Sequence, residues 1–279
     1  MWFNIKTKVV LIYNIFNNNI NKMRFRSLFL ALTIACCAAL SAQTTELNVM
    51  TFNLRFGELS SLEEMASYIS KQQPDIVALQ ECDWKTTRER APKQAGKAFV
   101  NELAYHTGLF GIYGKAIDYR GGYYGVGILS KYPVIKSERV LLPNPNPKHE
   151  QRTMLIAEIE MPDKSVLTFI STHLEVSSAQ ARKEQIRFIN KRIKQIKTPI
   201  ILAGDLNAIP TSEEIQQGFA KWFNATDTVL TYSTMKPEIK IDYIYGYPKE
   251  KFSLVKTAVD TDCKLSDHFP VSSVIRLKK

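Results

Sequence analysis

Apolar residues gather in short runs separated by polar, glycine- or proline-bearing stretches. Runs of this length, bounded by turn residues, predict strands buried on both faces. They are Leu47–Phe52, Ile76–Leu79, Val126–Leu129, Met154–Ile159, Val166–Ile170, Ile200–Leu202, Ile241–Ile244 and Val271–Leu277. Between some of them the spacing turns helical. Leu62, Met65 and Ile69 share one face, and Phe99 and Leu103 another. Ile186, Ile189, Ile193 and Ile196 form an amphipathic stripe. The opposite side of that helix carries Arg182, Lys183, Arg187, Lys191, Arg192 and Lys194, which reads as a solvated face before it reads as a nucleic-acid patch. Pro143, Pro145 and Pro147 predict an extended loop. Adjacent strand pairs interleaved with few helices predict an α/β sandwich rather than a simple doubly wound sheet. No internal repeat or long linker follows Gln43, so residues 43–279 read as one domain.

The N-terminus has a different character. Met23-Arg24-Phe25-Arg26 is followed by an uncharged stretch from Leu28 to Leu40 and then Ser41-Ala42. A basic start, an apolar middle and small residues at the end predict a signal peptide over 23–42 and an exported protein, periplasmic or extracellular. Residues 1–22, Asn-rich at Asn17–Asn19, read as an upstream extension. An uncleaved anchor or lipidation at Cys36 are the alternatives. Cleavage near Ala42 leaves Cys82 and Cys263, too few for a disulfide framework and without zinc-site spacing. The formal charge of +10 also changes meaning here. After residue 42 there are 32 Lys and Arg against 27 Asp and Glu, so charge alone does not indicate nucleic-acid binding.

The chemistry lies where the apolar runs stop. Asn53, Glu81, His173 and Asp205 each close one run, with Asn207 two positions after Asp205. Asp242 opens another, and Asp267-His268 precedes the last. A charged group at the end of a buried strand is costly unless it is paired or binds a metal. One such residue reads as a cap or, for His173, as a satisfied core histidine. Six together imply one site, and oxygen ligands without cysteine suit Mg²⁺, with Mn²⁺ or Ca²⁺ possible, rather than zinc.

The segments Leu47–Asn53, Pro74–Glu81, Gly122–Ser130, Ser171–Leu174, Gly204–Ala208, Ile241–Ile244 and Ser266–Val271 follow one another in a known order. Together they resemble the DNase I-like endonuclease/exonuclease/phosphatase superfamily. The resemblance implies a four-layer sandwich of two packed mixed sheets flanked by helices, and metal-dependent hydrolysis of phosphate esters. It implies Glu81 as principal metal ligand, with Asn53 and Asp267 completing the metal environment. Asp205 would orient or deprotonate a metal-polarised water. Asn207 would contact the phosphate and position Asp205. His268 would touch the scissile phosphate, oriented by Asp242. His173, Tyr123 and Arg152 would contact phosphate oxygens, with Tyr123 aligned by spacing against its neighbour Tyr124.

The segment from Asp83 to Arg152 is similar to a compact, exported bacterial subgroup of the same superfamily, related to a domain of eukaryotic lipid-remodelling proteins. It lacks long DNA-grasping insertions. The resulting expectation is a monomeric phosphodiesterase on a small or lipid-linked substrate, with membrane contact through that substrate. A secreted DNase or RNase is the alternative. A non-catalytic phosphate-binding protein is the third reading, disfavoured by the intact acid and imidazole set.

Overall fold

The computed structural model describes residues 44–278, and the extension and signal peptide lie outside them. Thr45–Lys278 form one compact unit. Twelve strands run in chain order: β1 (Thr45–Asn53), β2 (Ile76–Trp84), β3 (Phe110–Tyr119), β4 (Gly122–Ser130), β5 (Val134–Leu141) and β6 (Thr153–Glu160); then β7 (Val166–His173), β8 (Ile200–Asp205), β9 (Phe223–Asn224), β10 (Asp242–Tyr247), β11 (Phe252–Val259) and β12 (Val271–Leu277). The helices are α1 (Leu62–Gln72), α2 (Phe99–Thr107), α3 (Ala179–Ile193) and α4 (Glu213–Gly218).

Two mixed six-stranded sheets result, in the orders β11-β12-β1-β2-β4-β3 and β5-β6-β7-β8-β10-β9. Each has one parallel pair at its centre, β1/β2 and β7/β8, and antiparallel neighbours elsewhere. A parallel pair needs a crossover, and α1 and α3 supply it.

Side chains alternate across a strand, so each apolar run feeds two layers. Leu47 and Val49, Ile76 and Ala78, Leu167 and Phe169, and Ile201 and Ala203 belong to the core between the two sheets. The intervening Met50, Phe52, Val77 and Leu79 pack under α1 and α2. Ile170, Ile200 and Leu202 pack under α3 and α4. The expected helical stripes are the contacts: Leu62, Met65 and Ile69 on one side, Ile186, Ile189 and Ile193 on the other. A four-layer α/β sandwich is therefore the observed architecture. Helix α1 is started by a capping box, in which the Glu64 N–H donates to the Ser61 hydroxyl and the Ser61 N–H to the Glu64 carboxylate.

Half of the basic side of α3 is engaged within the protein, three of its six cationic residues. Arg182 and Lys183 pair with Glu214 and Glu213 of α4, and Arg192 with Glu138 of β5. These ion pairs clip the helix to its neighbours and reduce the free positive charge it offers. Cys82 and Cys263 are both free and packed in the α1/α2 core.

One glycine decides how closely the central strands approach. A Cβ on Gly204 (φ +157) would lie 2.0 Å from the Thr172 carbonyl oxygen of β7. Backbone on both sides cannot give way. Gly204→Ala is expected to cost about 3 kcal/mol, the upper range for overpacking, seen as a lower urea midpoint. It should also lower turnover, because β7 and β8 place His173 opposite Asp205 at that point. An unchanged midpoint would show that the strands are not in this contact.

Candidate active site

The inner-face alternation continues past the apolar core and turns polar at one end. In β1 the series Leu47, Val49, Thr51 ends in Asn53, and in β7 Leu167, Phe169, Ser171 ends in His173. In β8 Ile201 and Ala203 lead to Asp205, and in β10 Ile244 leads back to Asp242, which pairs in register with Asp205. The site is thus the polar end of the intersheet core.

Glu81 reaches it by a different route. Simple alternation after Leu79 would turn Glu81 toward α1 and α2. Between Leu79 and Cys82 the register of β2 against β4 shifts, with one extra residue on β2. Glu81 takes a left-handed conformation there (φ 56). The bulge keeps Cys82 under the helices with Leu79 and directs Glu81 to the site side. A left-handed non-glycine residue is strained by roughly 1–2 kcal/mol, here at a functional position.

Asn53 joins the two sheets. Its Nδ2 donates to Glu81 Oε1 and to Asp205 Oδ2, both at 3.1 Å. Its Oδ1, the atom a metal would use, accepts the Arg55 N–H at 3.0 Å. His268 Nδ1 lies 3.0 Å from Asp242 Oδ2, and Nε2 lies 3.7 Å from Asp205 Oδ2. His173 Nε2 is 3.5 Å from the same Asp205 oxygen. The Asn207 N–H donates to Asp205 Oδ1 at 2.9 Å, while the Asn207 amide nitrogen donates to the Leu174 carbonyl. Asp267 Oδ2 accepts from Arg55 Nη1 at 2.6 Å.

Glu81, Asn53, Asp205, Asn207, His173, Asp242, His268 and Asp267 therefore stand in one connected cluster. Tyr123 does not join it. On β4 it has the parity opposite to Val126 and Ile128, is exposed, and lies under Lys115 Nζ at 4.2 Å. The buried neighbour Tyr124 has the inward parity and feels Glu81, Glu150 and Arg152 electrostatically. Alternation along the strand, rather than spacing within the motif, decides between the two. Arg152 is beside the site, but its guanidinium faces Glu150, Glu175 and His173. Arg55 and Glu175 were not apparent from the motifs. Each lies two positions beyond a site residue, Asn53 and His173, which is the signal that would have found them.

Burial sets the electrostatics. Asp205 is pushed up to about 7, by burial first and by Asp242 second, against the pull of His268. Burial also raises Glu81, with Asp267 adding to it and the Asn53 hydrogen bond opposing. His268 moves the other way from what burial alone would do: Asp242 and Asp205 raise it to about 10. His173 is held well below the usual imidazole range by burial, Arg152 and His268. One imidazole is cationic at neutral pH and the other neutral.

A hard divalent cation fits this donor set. Asp205, Asp242 and His268 bring potential ligating atoms within 4.8 Å of one another, but a cationic His268 has no free lone pair there, which leaves the carboxylates, Glu81 and Asp267 included, as the oxygen donors. Asp205 and Glu81, both raised by desolvation, are short of positive charge, which a cation would supply.

The chain matches the family model of the Endonuclease/Exonuclease/phosphatase family over residues 50–268. It belongs to that family. Members of the endonuclease/exonuclease/phosphatase family hydrolyse phosphate esters, and the chain is a hydrolase of that class. An endonuclease/exonuclease/phosphatase structure from Beutenbergia cavernae is similar, with 23% identity and a TM-score of 0.70 over 83% of this chain and 72% of that one. A mannosyl-6-phosphatase from Bacteroides thetaiotaomicron is similar at 17% identity and TM-score 0.64, covering 82% and 99% of the two chains. So is TDP2 from D. rerio, complexed with a single-strand DNA product, at 19% and 0.63 over 83% and 99%. These likenesses concern the fold.

Two stability effects follow from the site. Asp205 is raised above its ordinary 3.8, so its ionisation costs folded-state stability. That cost is absent below the unfolded value and complete once pH exceeds about 7. In the presence of chelator, Asp205→Asn should therefore raise the urea midpoint, and by more at pH 8 than at pH 5. An equal gain at both would contradict the shift. Glu81→Gly should likewise raise the midpoint, since glycine relieves about 1 kcal/mol of left-handed strain and removes a buried charge. Activity should be lost in the same variant. A lowered midpoint would show that the lost Asn53 hydrogen bond and glycine's added freedom in the unfolded chain outweigh the strain relieved.

Proposed function

We propose that this is an exported, divalent-cation-dependent phosphodiesterase acting on a small or lipid-linked phosphodiester. The observation that carries the reading is the opposition of a cationic imidazole, His268, to a buried carboxylate, Asp205, across 3.7 Å. Glu81 and Asp267 would hold Mg²⁺, with Asn53 beside them; Mn²⁺ or Ca²⁺ suit the same oxygen donors. When bound, the cation supplies positive charge to the phosphoryl oxygens.

The chain's own residues do the rest. Asp205, oriented by the Asn207 N–H, accepts the proton of the attacking water. His268 donates through Nε2 to a non-bridging oxygen, and Asp242 holds its other nitrogen. His173 offers a second donor through Nε2 on the far side of Asp205. Positive charge and donors aimed at the phosphoryl group are what this reaction requires.

Exposed apolar side chains favour a lipid-linked substrate. Val176 (61% exposed) and Ile209 (42%) stand on the loops that follow His173 and Asp205, and Met235 (88%) follows Thr234, whose N–H donates to the Asp267 carbonyl. The second reading, a nuclease, is favoured by the likeness to TDP2 complexed with single-strand DNA. The engagement of half of α3's basic side in ion pairs speaks against it.

The test is a panel of plasmid DNA, RNA, a generic phosphodiester, sphingomyelin, phosphatidylinositol and inositol phosphates, each with Mg²⁺ and with chelator. Turnover of a small or lipid phosphodiester, abolished by chelator, is expected. Cleavage of nucleic acid alone would select the second reading. Asp205→Ala and His268→Ala should each lower turnover by about 10³-fold or more, as for groups acting in the transition state, with unchanged far-UV circular dichroism. Near-normal rates in both would remove the assignment.

A further inference from the structure

Arg152 is 6% exposed and enters the cluster from the loop that precedes β6. Its Nη1 lies 3.3 Å from His173 Nδ1. A guanidinium has five N–H donors and no acceptor, and it keeps its proton throughout the accessible pH range. The contact therefore has one direction: Arg152 donates, and His173 Nδ1 accepts through its lone pair. The proton of the neutral ring is then on Nε2, the nitrogen 3.5 Å from Asp205 Oδ2.

The guanidinium is held for this contact. Glu150 Oε1 is 2.8 Å from Nη1, and Glu175 Oε2 is 3.6 Å from Nε. Glu175 is itself fixed: its Oε1 accepts from the Ser177 N–H and hydroxyl, and its N–H donates to Gln185 of α3. Its backbone carbonyl accepts from Arg182. Arg152 Nε, Glu150 Oε1 and Glu175 Oε2 are buried without a hydrogen bond, so the two acids hold the guanidinium as ion-pair partners.

We propose that Arg152 is a positioning residue: anchored by Glu150 and Glu175, it fixes His173 as the Nε2–H tautomer, so that this imidazole presents a donor and never a base to the phosphate. This rests on the phosphodiesterase reading for its consequence, but the tautomer itself does not. The two imidazoles then differ by construction. Asp242, an acceptor, holds His268 protonated on Nδ1, whereas Arg152, a donor, leaves His173 Nδ1 bare. A single carboxylate, Asp205, is left to take the proton from water.

The experiment reads the tautomer directly, without substrate. Protein labelled with ¹⁵N-histidine is examined by long-range ¹H–¹⁵N correlation at neutral pH, with His173→Gln assigning the signal. Wild type should show His173 with protonated Nε2 and unprotonated Nδ1. Arg152→Met should convert it to a mixture of tautomers, and Arg152→Lys, which keeps a donor, should restore much of the Nε2–H form. Glu175→Gln should weaken the preference, with Arg152 still in place. In kinetics on whichever phosphate ester the chain hydrolyses, Arg152→Met should lower kcat about 10-fold or more with KM little changed. A protonated Nδ1 in wild type would overturn the proposal. So would an unchanged His173 signal in Arg152→Met with a raised KM alone, which would make Arg152 a substrate contact.

Discussion

Acidic side chains buried where two sheets end, with too little positive charge among them, are the constraint on which the site depends. The intersheet core supplies a dry wall on one side, and alternation along four strands delivers Asn53, His173, Asp205 and Asp242 to its rim. Left alone, such a group of carboxylates would repel and take up protons. Asn53 bridges Glu81 and Asp205, and His268 is drawn into the cationic form by Asp242 and Asp205. What the fold cannot satisfy internally it leaves for a cation and a phosphoryl group. The same imbalance that lowers stability is what readies the site for binding.

The two sheets are laid out alike. Each has a central parallel pair joined by a helix, with two antiparallel strands on each flank. Asn53 and His173 end corresponding strands; Gln80 pairs with Asn53 as Asp205 pairs with His173, and Glu81 follows Gln80 at the bulge. The corresponding positions nevertheless carry different chemistry, the amide Asn53 against the imidazole His173 and the amide Gln80 against the acid Asp205. No sequence repeat marks this relation, because only the backbone plan and the inward apolar periodicity are shared.

Much of this was legible in the chain. The eight apolar runs all became strands, and the polar residues that close them met in one place. The strands β3, β5, β9 and β11 were not apparent, and all four are sheet edges. An edge strand covered on one side only needs no continuous apolar run, and β5, with Lys136, Glu138 and Arg139, is nearly all exposed. The bulge at Glu81 was equally hidden. It follows from pairing with β4, which no local pattern encodes. Tyr123 was misplaced relative to Tyr124 because motif spacing ignores which face a residue occupies. Arg152 was legible as a site residue, but its partners Glu150 and Glu175, which determine what its guanidinium can reach, come from separate segments.

The two thiols in the α1/α2 layer have a use of their own. Cys82 is fully enclosed and pushed well above the ordinary thiol range by burial, with Asp83 and Glu81 adding to it; burial raises Cys263 as well. Burial and the raised thiols both slow alkylation from the closed state, since the thiolate is the reactive form. Their labelling rates thus become a clock for breathing of the helical layer over β2, the strand that carries Glu81.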